Sequence, residues 1–429
     1  MNLLKEVLRR QVYPAMGCTE PVCVALCAAH AAKALGEPVR DAVFVLDPGT
    51  YKNGMGVSLP NACGGKGNLL AGALGLLIAE PALRMEILRK ATPALVKKAG
   101  SLLRSGRARM SVAPDKKECY VEVSVRGEKH SAVCLIAGSH THVAALSRDG
   151  RALVKGCRRK AKPEERYKDL LRKASIGDLV RWAERMDAAD AAYLKKGVLM
   201  NLAAAKEGMK LHKVGFYLQD LLRRGYLLDD VFAATKLLTA SAADARMDGA
   251  PVPVMSSGES GNQGIVASLV PWQVGLAFKA PEKTILRSIA LSHLLNAFVK
   301  VHTGALAPIC GCAIAAGVGA AAAIVYQRKG ADLKAIGLAI NNVISDIGGM
   351  LCDGAKSGCA LKVVSSTDTA IRSAYMGIHR YGITEVEGFV GRSAEETIRN
   401  LAKISTIGMA KVDGTIVDIM LGKQSGGKR

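Results

Sequence analysis

Cys119-Tyr120-Val121-Glu122-Val123-Ser124-Val125 alternates apolar and polar side chains with a period of two, the pattern of a half-buried β-strand. Two neighbouring stretches behave the same way, Ala108-Arg109-Met110-Ser111-Val112 and Ser131-Ala132-Val133-Cys134-Leu135-Ile136. Turn residues at Ala113-Pro114-Asp115 and Arg126-Gly127-Glu128-Lys129 separate the three, so the sequence predicts a meander. Upstream, residues 3–13 carry Leu4, Val7, Leu8 and Val12 at helical spacing, Pro14 ends that helix, and Ala42-Val43-Phe44-Val45-Leu46 reads as a buried strand. Downstream, the charged segment 150–168 reads as a linker, and from Ile176 the pattern is helical almost throughout. The expected fold is α+β: an N-terminal α/β domain over residues 1–165, a mostly α-helical C-terminal domain over 166–429, and a site between them.

Composition narrows the function classes. A chain of 429 residues that is 49% hydrophobic can bury a real core, and 4% aromatic with 45 glycines points to closely packed helices and Gly-rich loops. The start, Met1-Asn2-Leu3-Leu4-Lys5-Glu6, carries a carboxylate and lacks the apolar segment of a signal peptide. Eleven cysteines, an odd number, then argue for reduced thiols or ligands in a cytoplasmic protein. The formal charge of +22 favours polyanions, and Cys157-Arg158-Arg159-Lys160-Ala161-Lys162 is the densest basic run. No aromatic residues alternate with that run and no zinc-finger or RNA-recognition pattern appears, so a solvated basic surface is preferred to nucleic-acid binding. Thr303 to Gln327 is free of charge over 25 residues, long enough to span a bilayer. Its Ala- and Gly-rich composition and Pro308 favour a buried helix, and no membrane partner is expected. The oligomeric state stays open, a homo-oligomer included.

Several short stretches carry chemistry. Pro308-Ile309-Cys310-Gly311-Cys312 and Leu351-Cys352-Asp353-Gly354-Ala355-Lys356-Ser357-Gly358-Cys359 place four thiols among small residues, suited either to a metal or cluster or to tight packing. In Met16-Gly17-Cys18-Thr19-Glu20-Pro21, Thr19 reads as an N-cap, which sets Cys18 just before a helix whose positive end favours a thiolate. Cys23 and Cys27, on that helix, read as packing. Gly64-Gly65-Lys66-Gly67 lacks the Ser or Thr of a phosphate loop and is rejected as a nucleotide site. Pro253-Val254-Met255-Ser256-Ser257-Gly258-Glu259-Ser260-Gly261-Asn262-Gln263-Gly264 reads as a binding loop between helices. His140 and His142, two apart, would share a face on a strand, with no third ligand spaced nearby.

Four segments, in matching order, resemble the signatures of the iron–sulfur L-cysteine desulfidase family, which is related to the iron–sulfur L-serine dehydratases. They are Met16–Pro21, Gly261-Asn262-Gln263-Gly264, Gly311-Cys312-Ala313-Ile314-Ala315-Ala316-Gly317 and Cys352–Lys362. The resemblance implies a [4Fe–4S] cluster held by Cys312, Cys352 and Cys359 with one open iron site, and an elimination that turns L-cysteine into pyruvate, ammonia and sulfide without pyridoxal phosphate. It implies Cys18 as the base. Asn53, Asn61, Ser256, Ser257, Asn262 and Gln263 would then hold the substrate's carboxylate and amino group, and Lys356 would neutralise the carboxylate. Cys310 is read as packing or a spare ligand, and His140 and His142 as proton carriers. Two other readings stand beside this one: an L-serine dehydratase of the same chemistry, and a non-catalytic thiol or zinc protein using Cys310, Cys312, Cys352 and Cys359.

Overall fold

The computed structural model describes residues 2–116, 119–154, 163–304 and 306–426; the basic run at 157–162 lies outside the described residues. The described residues form eight strands: β1 (Pro14–Met16), β2 (Asp41–Leu46), β3 (Ala108–Val112), β4 (Tyr120–Arg126), β5 (Ser131–Ala137), β6 (Val143–Arg148), β7 (Arg151–Val154) and β8 (Pro253–Met255). Six of them form one sheet in the order β3-β2-β4-β5-β6-β7. The expected meander β3-β4-β5 holds in its antiparallel pair β4 and β5, which β6 extends on the far side. It fails at β3, because β2 inserts between β3 and β4, pairing parallel with the first and antiparallel with the second. A parallel neighbour needs a long crossover, and the helices between residues 48 and 104 supply it.

Alternation decides which face of this sheet is covered. Ala42, Phe44 and Leu46, then Val121, Val123 and Val125, then Ala132, Cys134 and Ile136 are all buried on one face. The helix Thr19–Leu35 lies on that face, with Cys23, Cys27, Ala28 and Leu35 at zero exposure, so these two cysteines are core residues as expected. Each fully buried large apolar side chain contributes about 1.5–3 kcal/mol. A second helix, Asn68–Ile78, crosses the first so closely that a Cβ on Gly75 would sit 2.1 Å from the Ala25 carbonyl oxygen.

The second core is helical. Its helices include Ile176–Glu184, Ala188–Gly208, Val231–Met247, Gly261–Ala277, Glu282–Thr303, Ile314–Lys329, Leu333–Ile347 and Cys359–Ile378. Ser175 starts this region with a capping box, accepting from the Asp178 N–H while Asp178 accepts from its own. The uncharged run 303–327 is not one helix: one helix ends at Thr303, non-helical backbone follows over 306–313, and in the next helix Ile314–Tyr326 is wholly buried. Glu282–Thr303 is long and apolar enough to cross a membrane, yet it is packed inside the helical core and buries Ser292, His293, Asn296 and Lys300. Helix Leu3–Gln11 also belongs to this core, through Leu4, Val7 and Leu8. The chain then enters β1, which pairs antiparallel with β8, and crosses to the first core.

Candidate active site

The two cysteine-bearing stretches lie side by side. Cys310 N–H donates to Met350 O at 2.8 Å and Cys352 N–H to Pro308 O at 2.7 Å, around a bridge between Ile309 and Leu351. Cys312 sits in the turn opening the helix Ile314–Lys329, and Cys359 is the first residue of the helix Cys359–Ile378. Two of the thiols therefore stand at helix N-termini, where orphan N–H groups favour negative charge. Cys18, Cys310, Cys312, Cys352 and Cys359 all line one cavity of about 70 Å³ at the seam between the two cores.

The opposite wall is polar. Glu20, Asn53, His140, Arg246, Asn262 and Lys300 line the same cavity. Asn53 comes from a short helix, Pro48–Gly54, capped by Asp47. Asn53 Nδ2 donates to Glu20 Oε1 at 2.9 Å, and the Cys18 thiol donates to Glu20 Oε2 at 2.9 Å. Arg246, near the end of its helix, donates to Gly17 O at 3.1 Å and to Asn262 Oδ1 at 3.2 Å. His140 Nδ1 lies 3.2 Å from Glu259 Oε2. Arg246 Nη2, Gln263 Oε1 and His140 Nε2 are buried and have no hydrogen-bond partner among the described residues. A buried donor or acceptor left unpaired costs about 1–3 kcal/mol, so these atoms mark where a ligand's polar groups belong.

The charges are mutually supporting. Burial acts to raise the Glu20 pKa, but the His140 charge, hydrogen bonds from Cys18 and Asn53, and Arg246 outweigh it and bring it down to about 2. Burial acts to lower that of His140, yet the Cys119 and Glu259 charges carry it up to about 10. Burial pushes the Lys300 amine down, against the pull of Cys352, Cys312 and Glu259. Cys18 departs from expectation here. It is the N-cap residue itself, but burial and the Glu20 carboxylate push its thiol well above the ordinary range, overriding the helix end.

Of the residues singled out from the sequence, the fold brings Cys18, Asn53, Asn262, Gln263, Cys312, Cys352 and Cys359 to one cavity, with Cys310 beside them. Four others lie outside its lining. Asn61 donates to Leu88 O at 3.1 Å. Ser256 is spent bracing the first helix, accepting from Tyr13 N–H and donating to Gln11 O, each at 3.0 Å. Ser257 is held from behind by Asn296 and His293, each at 2.8 Å. Lys356 is half exposed and pairs with Asp353. Lys300 and Lys362 line the cavity where Lys356 was expected. His140 and His142 share no face: residues 138–142 form a turn, with His140 against Glu259 and His142 Nδ1 on Ala137 O at 3.0 Å.

The residues suit a polynuclear cluster. Cys312, Cys352 and Cys359, soft thiol donors from the two cysteine-bearing stretches, line the cavity together, and sulfur is the donor type that cluster irons take. Three thiolates would outweigh the charge of a cluster core, and the lysines answer that. Lys52, buried, donates to Cys352 O at 2.7 Å, and Lys362 to Leu351 O at 2.6 Å, with Lys300 in the wall.

A family model described as the serine dehydratase alpha chain matches residues 82–418. A UPF0597 protein of Elusimicrobium minutum is 61% identical over 420 residues, covering 98% of this chain and 99% of the relative. One from Geobacter sulfurreducens is 54% identical over 426 residues, covering 99% of each. One from Clostridium tetani is 36% identical over 420 residues, covering 98% of each. The chain belongs to the serine dehydratase alpha-chain family, the iron–sulfur serine dehydratase-like group of lyases that its motifs resemble.

Proposed function

We propose that the protein eliminates the β-substituent of a small L-amino acid without pyridoxal phosphate, with L-cysteine as substrate and pyruvate, ammonia and sulfide as products. One observation carries the reading: thiols from two helix N-termini and a paired loop share a cavity with unpartnered polar atoms of Arg246, Gln263 and His140. L-Serine is the second reading, favoured by the description of the matching family. Cys312, Cys352 and Cys359 would hold a [4Fe–4S] cluster, with Cys310 as a packing neighbour. When bound, that cluster supplies an iron with an open position, a Lewis acid that makes the β-substituent a better leaving group.

The chain's own residues do the rest. Glu20 and Glu259, both held below the usual carboxylate range, suit the substrate ammonium. Arg246 Nη2 and Asn262 suit its carboxylate, a planar fork meeting two oxygens. Cys18, its thiol 2.9 Å from Glu20 Oε2, accepts the Cα proton as a thiolate; its own proton leaves to solvent before substrate enters, because Glu20, brought down to about 2, does not take a proton from a thiol pushed above its ordinary range. The Cα–H electron pair becomes the Cα=Cβ bond as the Cβ–S bond breaks and sulfur leaves with its pair. Aminoacrylate then tautomerises and hydrolyses. Burial of the seam excludes bulk water while the proton moves.

The test is anaerobic reconstitution with iron and sulfide, followed by visible absorption and product analysis. Expected are a broad thiolate-to-iron absorption, sulfide from L-cysteine, and loss of the absorption in Cys312→Ala, Cys352→Ala and Cys359→Ala but not in Cys310→Ala. Ammonia from L-serine with no sulfide from L-cysteine moves the assignment to the second reading. Zinc uptake with no cluster overturns both.

A further inference from the structure

The loop that presents His140 to the seam has a second cavity on its other side, of about 540 Å³, and the two cavities share no lining residue. Arg9, Arg10 and Tyr13 line it from the end of the first helix and the turn into β1, Arg84 from the segment Pro81–Lys90, and Thr141 and His142 from the loop. Its size falls in the range of about 300–1,000 Å³ usual for small-molecule sites.

The lining is cationic and partly preorganised. Arg9 and Arg10 are fixed by Glu6, at 2.9 Å and 2.8 Å, with guanidinium N–H groups left over. The acidic residue in the wall, Glu86, is already taken by Arg89. Arg84 makes no ion pair among the described residues, and it is held at φ 50°, ψ −128°. A non-glycine residue persists there only when its surroundings impose it, and such positions cluster at ligand sites. A row of guanidinium groups along one wall is a recognition surface for oxygen anions.

We propose that this second cavity binds a small organic oxyanion, a phosphate ester or a polycarboxylate, gripped by Arg84 with Arg9 and Arg10. The site does not depend on the elimination chemistry. Its ligand would rest on Thr141 and His142, which flank His140 in the loop.

Isothermal titration calorimetry of the full chain with inorganic pyrophosphate and with citrate tests it. Saturable binding of at least one probe is expected, weakened at least about tenfold by Arg84→Gly. Glycine suits the positive φ, so Arg84→Gly should melt no lower than the parent. Arg104→Ala, which removes an exposed charge elsewhere, should leave the affinity unchanged. Pyrophosphate binding alone assigns a phosphate ester, and citrate binding alone a polycarboxylate. No saturable binding overturns the site, as does an affinity indifferent to Arg84→Gly or equally reduced by Arg104→Ala. Loss of binding in Asn262→Ala would place the anion in the first cavity and overturn it too.

Discussion

At the scale of single residues, Glu20 is the hinge of the candidate site, since it accepts from Cys18, Thr19 and Asn53 and faces Arg246 and His140. Glu20→Gln keeps the shape but removes the carboxylate that meets the substrate ammonium. Elimination should fall about 10²–10⁴-fold in steady-state assays, with the circular dichroism spectrum unchanged. A second residue gives a pH test away from the chemistry. Burial carries Asp244 from 3.8 up to about 6, and its Oδ1 has no partner among the described residues. The folded state thus binds this proton more tightly than the unfolded state, and the stability it brings is lost as pH rises from about 4 to 6. Asp244→Asn does not titrate. Its advantage over the parent in urea midpoint should open across that window and stay level above it. The cysteines, Asn53, Asn262 and Gln263 could be found from sequence because they sit in short Gly-rich motifs. Arg246 and Lys300 could not, since each ends a long helix far along the chain from what it meets. One signal for Lys300 was present: His293, Asn296 and Lys300 recur three and four apart, a polar stripe on an apolar helix.

At the scale of elements, strands and helices were legible where periodicity was strong, and their arrangement was not. β4 and β5 alternate cleanly, but the segment 150–168 is no linker: it holds β7 and the start of a helix, Pro163–Lys173, which puts Leu171 into the helical core ahead of Ile176. That β2 lies between β3 and β4 depends on partners more than sixty residues apart, which local pattern does not encode. Helix crossings are encoded more subtly, by where a side chain is missing. Gly75→Ala drives a methyl into the Ala25 carbonyl and should cost about 1–3 kcal/mol or more in urea unfolding. Gly56→Ala, with nothing within 4 Å, is the control and should be near neutral. Gly264→Ala is different in kind. Its methyl would lie 1.9 Å from Met255 O, displacing β8 and the loop that follows, so activity should be lost along with stability.

At the scale of the whole molecule, the candidate site is a seam. Cys18, Glu20 and Asn53 come from the first core, while Arg246, Lys300 and the cluster cysteines come from the second. Pairing of β1 with β8 holds the seam on one side. On the other, Lys52 Nζ joins the two halves, reaching Cys352 O at 2.7 Å and Asp413 at 2.6 Å on the helix Val412–Gly426. Lys52 is 1% exposed, so Asp413→Ala leaves a buried ammonium short of its counter-charge. The helix Val412–Gly426 should loosen, and limited proteolysis should release it faster than from the parent.

That clasp also sets an order of events. The residues that bound the seam run from Cys18 to Asp413, so a chain emerging from the ribosome carries Cys312, Cys352 and Cys359 before it has the helix that fastens Lys52 over them. For that part of its synthesis the thiols meet the surrounding solution without their cover. A growing chain is therefore more open to oxidation, and to the wrong metal, than the finished protein.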